Sequence, residues 1–310
     1  MTKHVIVGAG PIGSGTARLL AERGDQVVLV TRSGSGPDLP GIQRVRADAS
    51  DVDALTDLTA GAAALYNCAS PPYHRWATDW PPLAHALLTA AQRSEAVLAT
   101  VSNLYGYGRV DAPMTESTPL NAHGAKGRVR AQMWRDALAA HEAGRVRVTE
   151  IRAADYVGPY AQSNLGDRVV PRILAGKGVR VLGSPDSPHT WTYVDDVARL
   201  LATVGTDERA WGRPWHVPSN PPRTQREAVD DLAQAAGVRA VPVGVVPPVL
   251  LRLMGLVNPI IRELPEVAYQ LQRPFVMDSS AAQATFGYQP TPWHDVLTAT
   301  LSHYRGISPS

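Results

Sequence analysis

Short apolar runs alternate with longer amphipathic stretches along most of the chain. Val5, Ile6 and Val7 form the first run. A glycine turn follows, and then Ala17, Leu19 and Leu20 recur at helical spacing before Gly24 and a second apolar run over Val27–Val30. The same alternation continues with strand-like runs at Ala62–Asn67, Val97–Ser102, Val146–Ile151 and Val179–Leu182. Helical stretches such as Pro82–Gln92 and Val129–Glu142 separate them. Apolar runs joined through helices are βαβ units, so the pattern predicts an α/β fold with a doubly wound parallel sheet and a smaller C-terminal lobe. From about Gly158 the alternation loosens, and prolines crowd at 218, 221, 222 and around 242–248. Residues 1–157 are therefore read as the sheet domain and 158–310 mainly as the smaller lobe, with a return to the sheet over about 179–220. The apolar stretch Val241–Ile261 is broken by four prolines and carries Arg252, too interrupted to cross a bilayer; it predicts a core or lid helix.

The turn after the first run gives the sheet a use. Gly8, Gly10 and Gly13, with Pro11 and Ile12 between them, lie where a strand becomes a helix. Glycines there let the backbone turn sharply and approach a pyrophosphate, while the N–H groups at the helix start face the phosphates. With strand, turn, helix and second strand in order, this is a dinucleotide cradle, and the sheet is of Rossmann type.

Composition removes other classes. A net charge of +2 spread over scattered arginines reads as solvated helix faces, so neither a nucleic-acid nor a membrane partner is expected. Cys68 is the one cysteine, which excludes an internal disulfide and a thiolate metal cluster; no metal site is expected. At an apolar strand end it reads as inert core, in keeping with a reducing cytoplasm. The first strand lies where a signal peptide would, and the basic start and cleavage pattern of one are missing.

Several motifs in order resemble the extended short-chain dehydrogenase/reductases, the NAD-dependent epimerase/dehydratase family. They are GAGPIGSG at 8–15, RADASD around Asp48, NCASPP at 67–72, SNLYGYG at 102–108 and TESTPL at 115–120. IRAADYVGP at 151–159, HTWTYVDDVA at 189–198 and DSSAAQATFGYQPTPW at 278–293 continue the series, so the likeness covers nearly the whole chain. Val7 stands where the family usually has one more glycine. The resemblance implies that Ala69, Ser70 and Pro71 also line the cofactor, and that Asp48 bonds the adenine amino group; an ordinary turn aspartate is the other reading of Asp48. It also implies pairing through the two long helices, so a homodimer is the default expectation.

The end of the second strand bears on the choice of cofactor. An NAD site places an acid there for the ribose 2′-hydroxyl, whereas this chain has Thr31, Arg32 and Ser33. With no carboxylate to repel it, a 2′-phosphate is met by a guanidinium and two hydroxyls, so NADP(H) is favoured over NAD(H). Arg32 stacked on adenine or facing solvent is the plainer alternative.

The catalytic centre departs from the family, whose Tyr-x-x-x-Lys pair is absent from this sequence. Counting from Pro119, the equivalent positions are Lys126 and Arg130; a shifted register would bring His123 or Gly127 there. The family's Ser/Thr falls among Thr100, Ser102 and Asn103. In one reading Lys126 donates the proton, its pKa lowered by burial and by Arg130, with Tyr105 and Tyr156, or Ser102 and Asn103, orienting a carbonyl. In the other, both cations are solvated or bind phosphate and no proton relay exists. Tyr73, Tyr156, His189 and Trp191 are expected to line the substrate, although a packed aromatic corner also accounts for Trp191. His74 is read as a surface residue, and Asp195 and Asp196 as helix-capping acids.

The function expected is an NADP(H)-dependent oxidoreductase or epimerase-like enzyme transferring hydride on a small carbonyl or alcohol compound. A non-catalytic NADP(H)-binding or sensor protein is the rival from another class. A redox-neutral sugar or nucleotide-sugar epimerase with tightly held NAD(P) is the third reading.

Overall fold

The computed structural model describes residues 1–161 and 163–306. In chain order the first half holds β1 (Lys3–Val7), α1 (Pro11–Glu22), β2 (Gln26–Thr31), β3 (Ile42–Arg46), α2 (Val52–Thr59), β4 (Ala64–Asn67), α3 (Trp76–Ser94), β5 (Val97–Asn103), α4 (Ala125–Glu142) and β6 (Val148–Ala153). Then come β7 (Asp155–Val157), α5 (Val170–Leu174), β8 (Val179–Val181), β9 (Trp191–Tyr193), α6 (Val194–Val204), β10 (Pro214–His216) and α7 (Gln225–Ala236). The rest comprises β11 (Val243–Val245), α8 (Pro248–Val257), α9 (Pro259–Val267), α10 (Tyr269–Gln272), α11 (Ser280–Phe286) and α12 (Trp293–Gly306).

The chain divides into two compact units. Met1–Gly108, Glu116–Ala153 and Val197–Val217 form the first; Arg109–Thr115, Ala154–Asp196 and Pro218–Ser310 form the second. In the first, seven strands pair in parallel in the order β10-β6-β5-β4-β1-β2-β3. Every residue of β4 and β6 is buried, as strands covered on both faces require, while the edge strand β3 has no fully buried residue. Chain direction across the sheet reverses at β1, which has β2 on one side and β4 on the other. Ligands of such sheets bind at the carboxyl ends of the strands beside that reversal.

Two helices start earlier than their apolar spacing suggests. α3 begins at Trp76 and runs through Pro81 and Pro82, because the indoles of Trp76 and Trp80 anchor its first turns in the core. α4 begins at Ala125, which takes Lys126 and Arg130 into the helix on one buried face. The expected strand Val179–Leu182 does form, as β8, but it pairs with β11 rather than joining the large sheet. The seventh place belongs to β10, three residues that need only the outer ladder of β6.

The second unit packs α5, α7 and α12 around Val170, Ile173, Val229, Leu232 and Leu301. Thr224 and Glu227 close a reciprocal capping box at the start of α7, and Gly237 ends it in the left-handed region. The stretch 241–261 is not a core helix. Its prolines divide it into β11, α8 and α9, and in α8 only Gly255 is buried while Val249, Leu253, Leu256 and Val257 stand more than half exposed. No helix among the described residues is long and apolar enough to cross a membrane.

Candidate active site

The glycine turn is fixed by its own packing. Gly8 has φ +102°, and a Cβ there would lie 2.6 Å from the Cys68 carbonyl oxygen. At Gly13 a Cβ would fall 1.9 Å from the Gly8 oxygen, so the start of α1 rests directly on the end of β1. Gly10 differs: nothing lies within 4 Å of the position a Cβ would take. Gly10 is also the N-cap of α1, and no side chain bonds the free N–H groups of that helix. An uncapped helix start with open space beside it fits an approaching pyrophosphate. Across the turn Cys68 packs against Gly13, and burial pushes its thiol well up, so it is held as an unreactive group.

At the end of β2 the side chains of Arg32 and Ser33 are exposed. The Thr31 hydroxyl donates to the Ser35 carbonyl (3.2 Å), and the Ser33 and Ser35 hydroxyls meet at 2.8 Å. Parallel pairing sets Arg46 of β3 opposite Thr31, so a second exposed guanidinium stands at this strand end. Asp48 is exposed and accepts the Ser50 N–H at 2.9 Å, as a turn aspartate does.

Lys126 and Arg130 are not surface cations: they are only 3% and 7% exposed. The Arg130 guanidinium lies beside two indoles that meet edge-to-face, 4.7 Å from the Trp76 ring and 4.1 Å from the Trp80 ring, with one nitrogen 3.5 Å from the Val101 carbonyl. Lys126 Nζ lies 4.7 Å from the centre of the Tyr73 ring. Tyr73 Oη and Tyr105 Oη are 3.4 Å apart, and the Trp76 ring touches both tyrosines. The alternative register has other work. His123 is exposed ahead of the helix, and a Cβ on Gly127 would meet the Tyr105 carbonyl oxygen at 2.5 Å. Ser102 is buried, and Asn103 Oδ1 accepts the Tyr105 N–H at 3.1 Å, folding the loop that carries Tyr105. Ala69 N–H donates to Asn67 Oδ1 (3.2 Å), and Trp76 Nε1 donates to the Pro71 carbonyl (3.1 Å), which ties the loop of Ala69, Ser70 and Pro71 to the same cluster. His74 is exposed.

Tyr156, His189 and Trp191 belong to the second unit. His189 is 1% exposed, stacked against Phe275 and tilted on Trp191, and its Nδ1 lies 3.2 Å from the Gln270 carbonyl. Its Nε2 lies 3.2 Å from Asp155 Oδ2, without the alignment of a hydrogen bond. Burial disfavours the Asp155 charge, yet His189 and the Asn164 amide (2.9 Å) hold the carboxyl below its ordinary range. Tyr156 is partly buried beside them in β7, which pairs with β9 through Tyr156 and Thr192. Asp195 and Asp196 sit inside the first turn of α6. Asp195 accepts the Tyr193 hydroxyl, and buried Asp196 accepts both the N–H and the hydroxyl of Thr291.

Comparison with protein-family models matches residues 4–216 to the NAD dependent epimerase/dehydratase family. The chain belongs to that family. No curated protein matches the sequence. Among solved structures it resembles the dTDP-glucose 4,6-dehydratase DesIV of Streptomyces venezuelae with NAD and TYD bound, at 21% identity and TM-score 0.76 over 98% of this chain and 97% of that one. The UDP-glucose 4-epimerase of Thermotoga maritima with UDP-glucose is similar at 20% identity and TM-score 0.79, over 98% and 99% of the two chains. The WbmH enzyme of Bordetella bronchiseptica with NAD+ matches along 100% of both chains, at 20% identity and TM-score 0.77. Likeness at this identity establishes a shared Rossmann-type fold; membership of the family makes the chain an NAD(P)-dependent enzyme of epimerase/dehydratase type.

For a member of this family, one buried network escaped the reading of the sequence. Arg152 Nε donates to Glu150 Oε1 at 2.7 Å, its Nη1 donates to Tyr107 Oη at 2.7 Å, and Tyr107 Oη meets His216 Nε2 at the same distance. Burial works against the Arg152 charge, but Glu150 and Tyr107 hold its pKa above the ordinary value. The Tyr107 phenol is pushed up to about 12 by burial, with Arg152 pulling the other way. The charged pair is thus closed on itself and stiffens the ends of β5, β6 and β10. The available signal was period two along β6: Glu150 and Arg152, the only charged residues of the strand, share the face of Val148.

Proposed function

We propose that this enzyme uses NADP(H) to transfer hydride to or from a small neutral carbonyl or alcohol compound. The observation that carries the cofactor choice is the end of β2: Arg32, Arg46 and the hydroxyls of Thr31 and Ser33 stand there with no acidic side chain at 31–35. A 2′-phosphate gains charge-assisted bonds at such a place, whereas a bare ribose gains little. Gly8, Gly10, Pro11, Ile12 and Gly13 would hold the pyrophosphate, and Asp48, Ala69, Ser70 and Pro71 would flank the dinucleotide. When bound, it supplies or accepts a hydride at the nicotinamide ring. Lys126, Ser102, Asn103 and Tyr105 then serve the reacting oxygen, with Arg130 as a fixed positive charge behind them. Tyr156, His189 and Trp191, largely aromatic and carrying few charges, are assigned to a neutral substrate, and residues 158–310 mainly to the lobe that recognises it.

Fluorescence titration tests the first step and a carbonyl panel the second. NADPH should bind at least tenfold more tightly than NADH, and one or more carbonyls should drive its oxidation. Equal affinities would remove the NADP(H) assignment. Tight NADPH binding with no turnover on any carbonyl would leave a binding or sensor protein. The UDP-glucose in the Thermotoga maritima epimerase structure favours a second reading, a sugar-nucleotide epimerase with retained cofactor. It predicts dinucleotide that co-purifies and does not exchange.

We also assign the protein to the reducing cytoplasm, in keeping with its single cysteine, and to homodimers formed through α3 and α4. An open groove of about 560 Å³ runs between those helices, edged by Ala84, Leu88, Val129, Met133 and Ala137. Light scattering should give twice the 33.2 kDa chain mass, and Met133→Glu should return it to the monomer value.

A further inference from the structure

The Tyr-x-x-x-Lys arrangement works because a cation beside a phenol makes the phenol a ready proton donor and acceptor. In this chain a lysine stands at the first of the two positions and an arginine at the second, so the helix supplies charge and no phenol. A phenol nevertheless meets that charge. Tyr73, in the short turn before α3, sets its ring 4.7 Å from Lys126 Nζ, and its hydroxyl lies 3.4 Å from that of Tyr105. Tyr73 is only partly buried, so it stays within reach of a ligand. It follows the cofactor-side loop of Ala69, Ser70 and Pro71 by two residues.

We propose that Tyr73 is the acid/base residue of this enzyme, a catalytic tyrosine moved from the helix to the loop before α3, with Lys126 as its counter-cation and Tyr105 as its hydrogen-bond partner. The proposal rests on the hydride-transfer reading above. In the reducing direction the Tyr73 O–H bond breaks and its proton forms the new O–H bond on the substrate oxygen. The phenolate left behind is neutralised by the Lys126 ammonium that stands over its ring, and the Tyr105 hydroxyl turns to donate to it. The carbonyl carbon gains its hydrogen and electron pair from a reduced nicotinamide dinucleotide, which is oxidised. Water returns the proton to Tyr73.

The charged and titratable groups around the phenol favour this ionisation. From α4 come Lys126 and, one turn on, Arg130, clasped by Trp76 and Trp80. From the loop after β5 comes Tyr105. In its own segment His74 and Arg75 are exposed, and Arg75 is paired with Asp79 at 3.0 Å.

Alkaline titration of tyrosinate absorbance at 295 nm, on the full chain with no cofactor or substrate, tests it. Burial pushes Tyr66, Tyr107, Tyr193 and Tyr304 up, so they stay silent while the first phenols ionise. One tyrosine equivalent should titrate ahead of the others. Tyr73→Phe should remove that step, Lys126→Met should move it up by a pH unit or more, and Lys126→Arg should restore most of it. An early step that survives in Tyr73→Phe, or that Lys126→Met leaves in place, overturns the proposal. A matching melting temperature for each variant excludes misfolding as the cause. The measurement involves no turnover, so it fails or succeeds independently of the hydride-transfer reading, which the NADPH and carbonyl assays test.

Discussion

At the scale of single residues, the glycine turn separates folding from binding. A methyl group at Gly13 has nowhere to go, since its Cβ would overlap the Gly8 carbonyl. Gly13→Ala should therefore destabilise the protein by several kcal/mol, on the order of other forced overpackings or worse. Gly10→Ala places its Cβ in open space and costs only the preference of an N-cap for glycine over alanine, on the order of 1 kcal/mol, so its melting temperature should stay within about 4 °C of the parent. That methyl occupies the ground a pyrophosphate needs, so NADPH affinity should fall tenfold or more. Unchanged affinity in Gly10→Ala would show that the phosphates lie elsewhere. Arg32 acts on one ribose substituent alone. Arg32→Ala should cost NADPH the worth of a charged hydrogen bond, about 1.5–3 kcal/mol or roughly ten- to a hundredfold, and leave NADH nearly unaffected. Equal losses for the two cofactors would assign Arg32 to adenine stacking.

At the scale of elements, α3 and α4 explain how a cationic pair is tolerated in the core. Arg130 is weakly hydrated by nature, and its charge lies within 5 Å of the centres of two indoles set edge-to-face at 84°, so aromatic rings meet it from two directions. Lysine keeps the charge but cannot stack as a plane. Arg130→Lys should lower stability by about 1–2 kcal/mol, the worth of desolvated cation–π contacts, and chemical denaturation would measure it. A neutral result would mean that the stack carries no energy. The spacing i, i+4 already placed Lys126 and Arg130 on one face, and the glycine cradle could be read from four consecutive local features. Tyr73, Trp76 and Trp80 could not be connected to that face, because their contacts with it join residues some fifty positions apart and leave no periodic trace. The strand β10 was missed for a related reason: three residues at an edge are specified by the neighbouring strand β6 more than by their own pattern. The stretch 241–261 read as either a core or a lid helix, and the core reading failed because its prolines divide it into short helices in which only Gly255 is buried.

At the scale of the whole molecule, the central sheet carries a titratable group in its first strand, and stability should follow it with pH. His4 is 1% exposed, with Nδ1 3.3 Å from Tyr66 Oη and Nε2 3.5 Å from Asp25 Oδ2. Burial lowers its pKa from 6.5, and Asp25 offsets only part of that. Below 6.5 the unfolded chain takes up a proton that the folded chain resists, so the unfolded state binds more protons and stability falls with pH until the folded value is passed. Asp155 adds a second, lower window. Its carboxyl is held below the ordinary range, so its contribution is complete above that range and is lost as pH falls through the folded value. Melting temperature should therefore decline from pH 7.5 towards pH 5 and again below about 4, where free carboxylates begin to protonate. His4→Gln should flatten the upper decline and leave the lower one. Asp155→Asn should do the reverse, at the cost of its His189 contact. If His4→Gln keeps the full slope between pH 7.5 and 5, burial does not depress the imidazole; if it steepens the slope, the imidazole is already protonated in the folded sheet and Asp25 rather than burial decides its state.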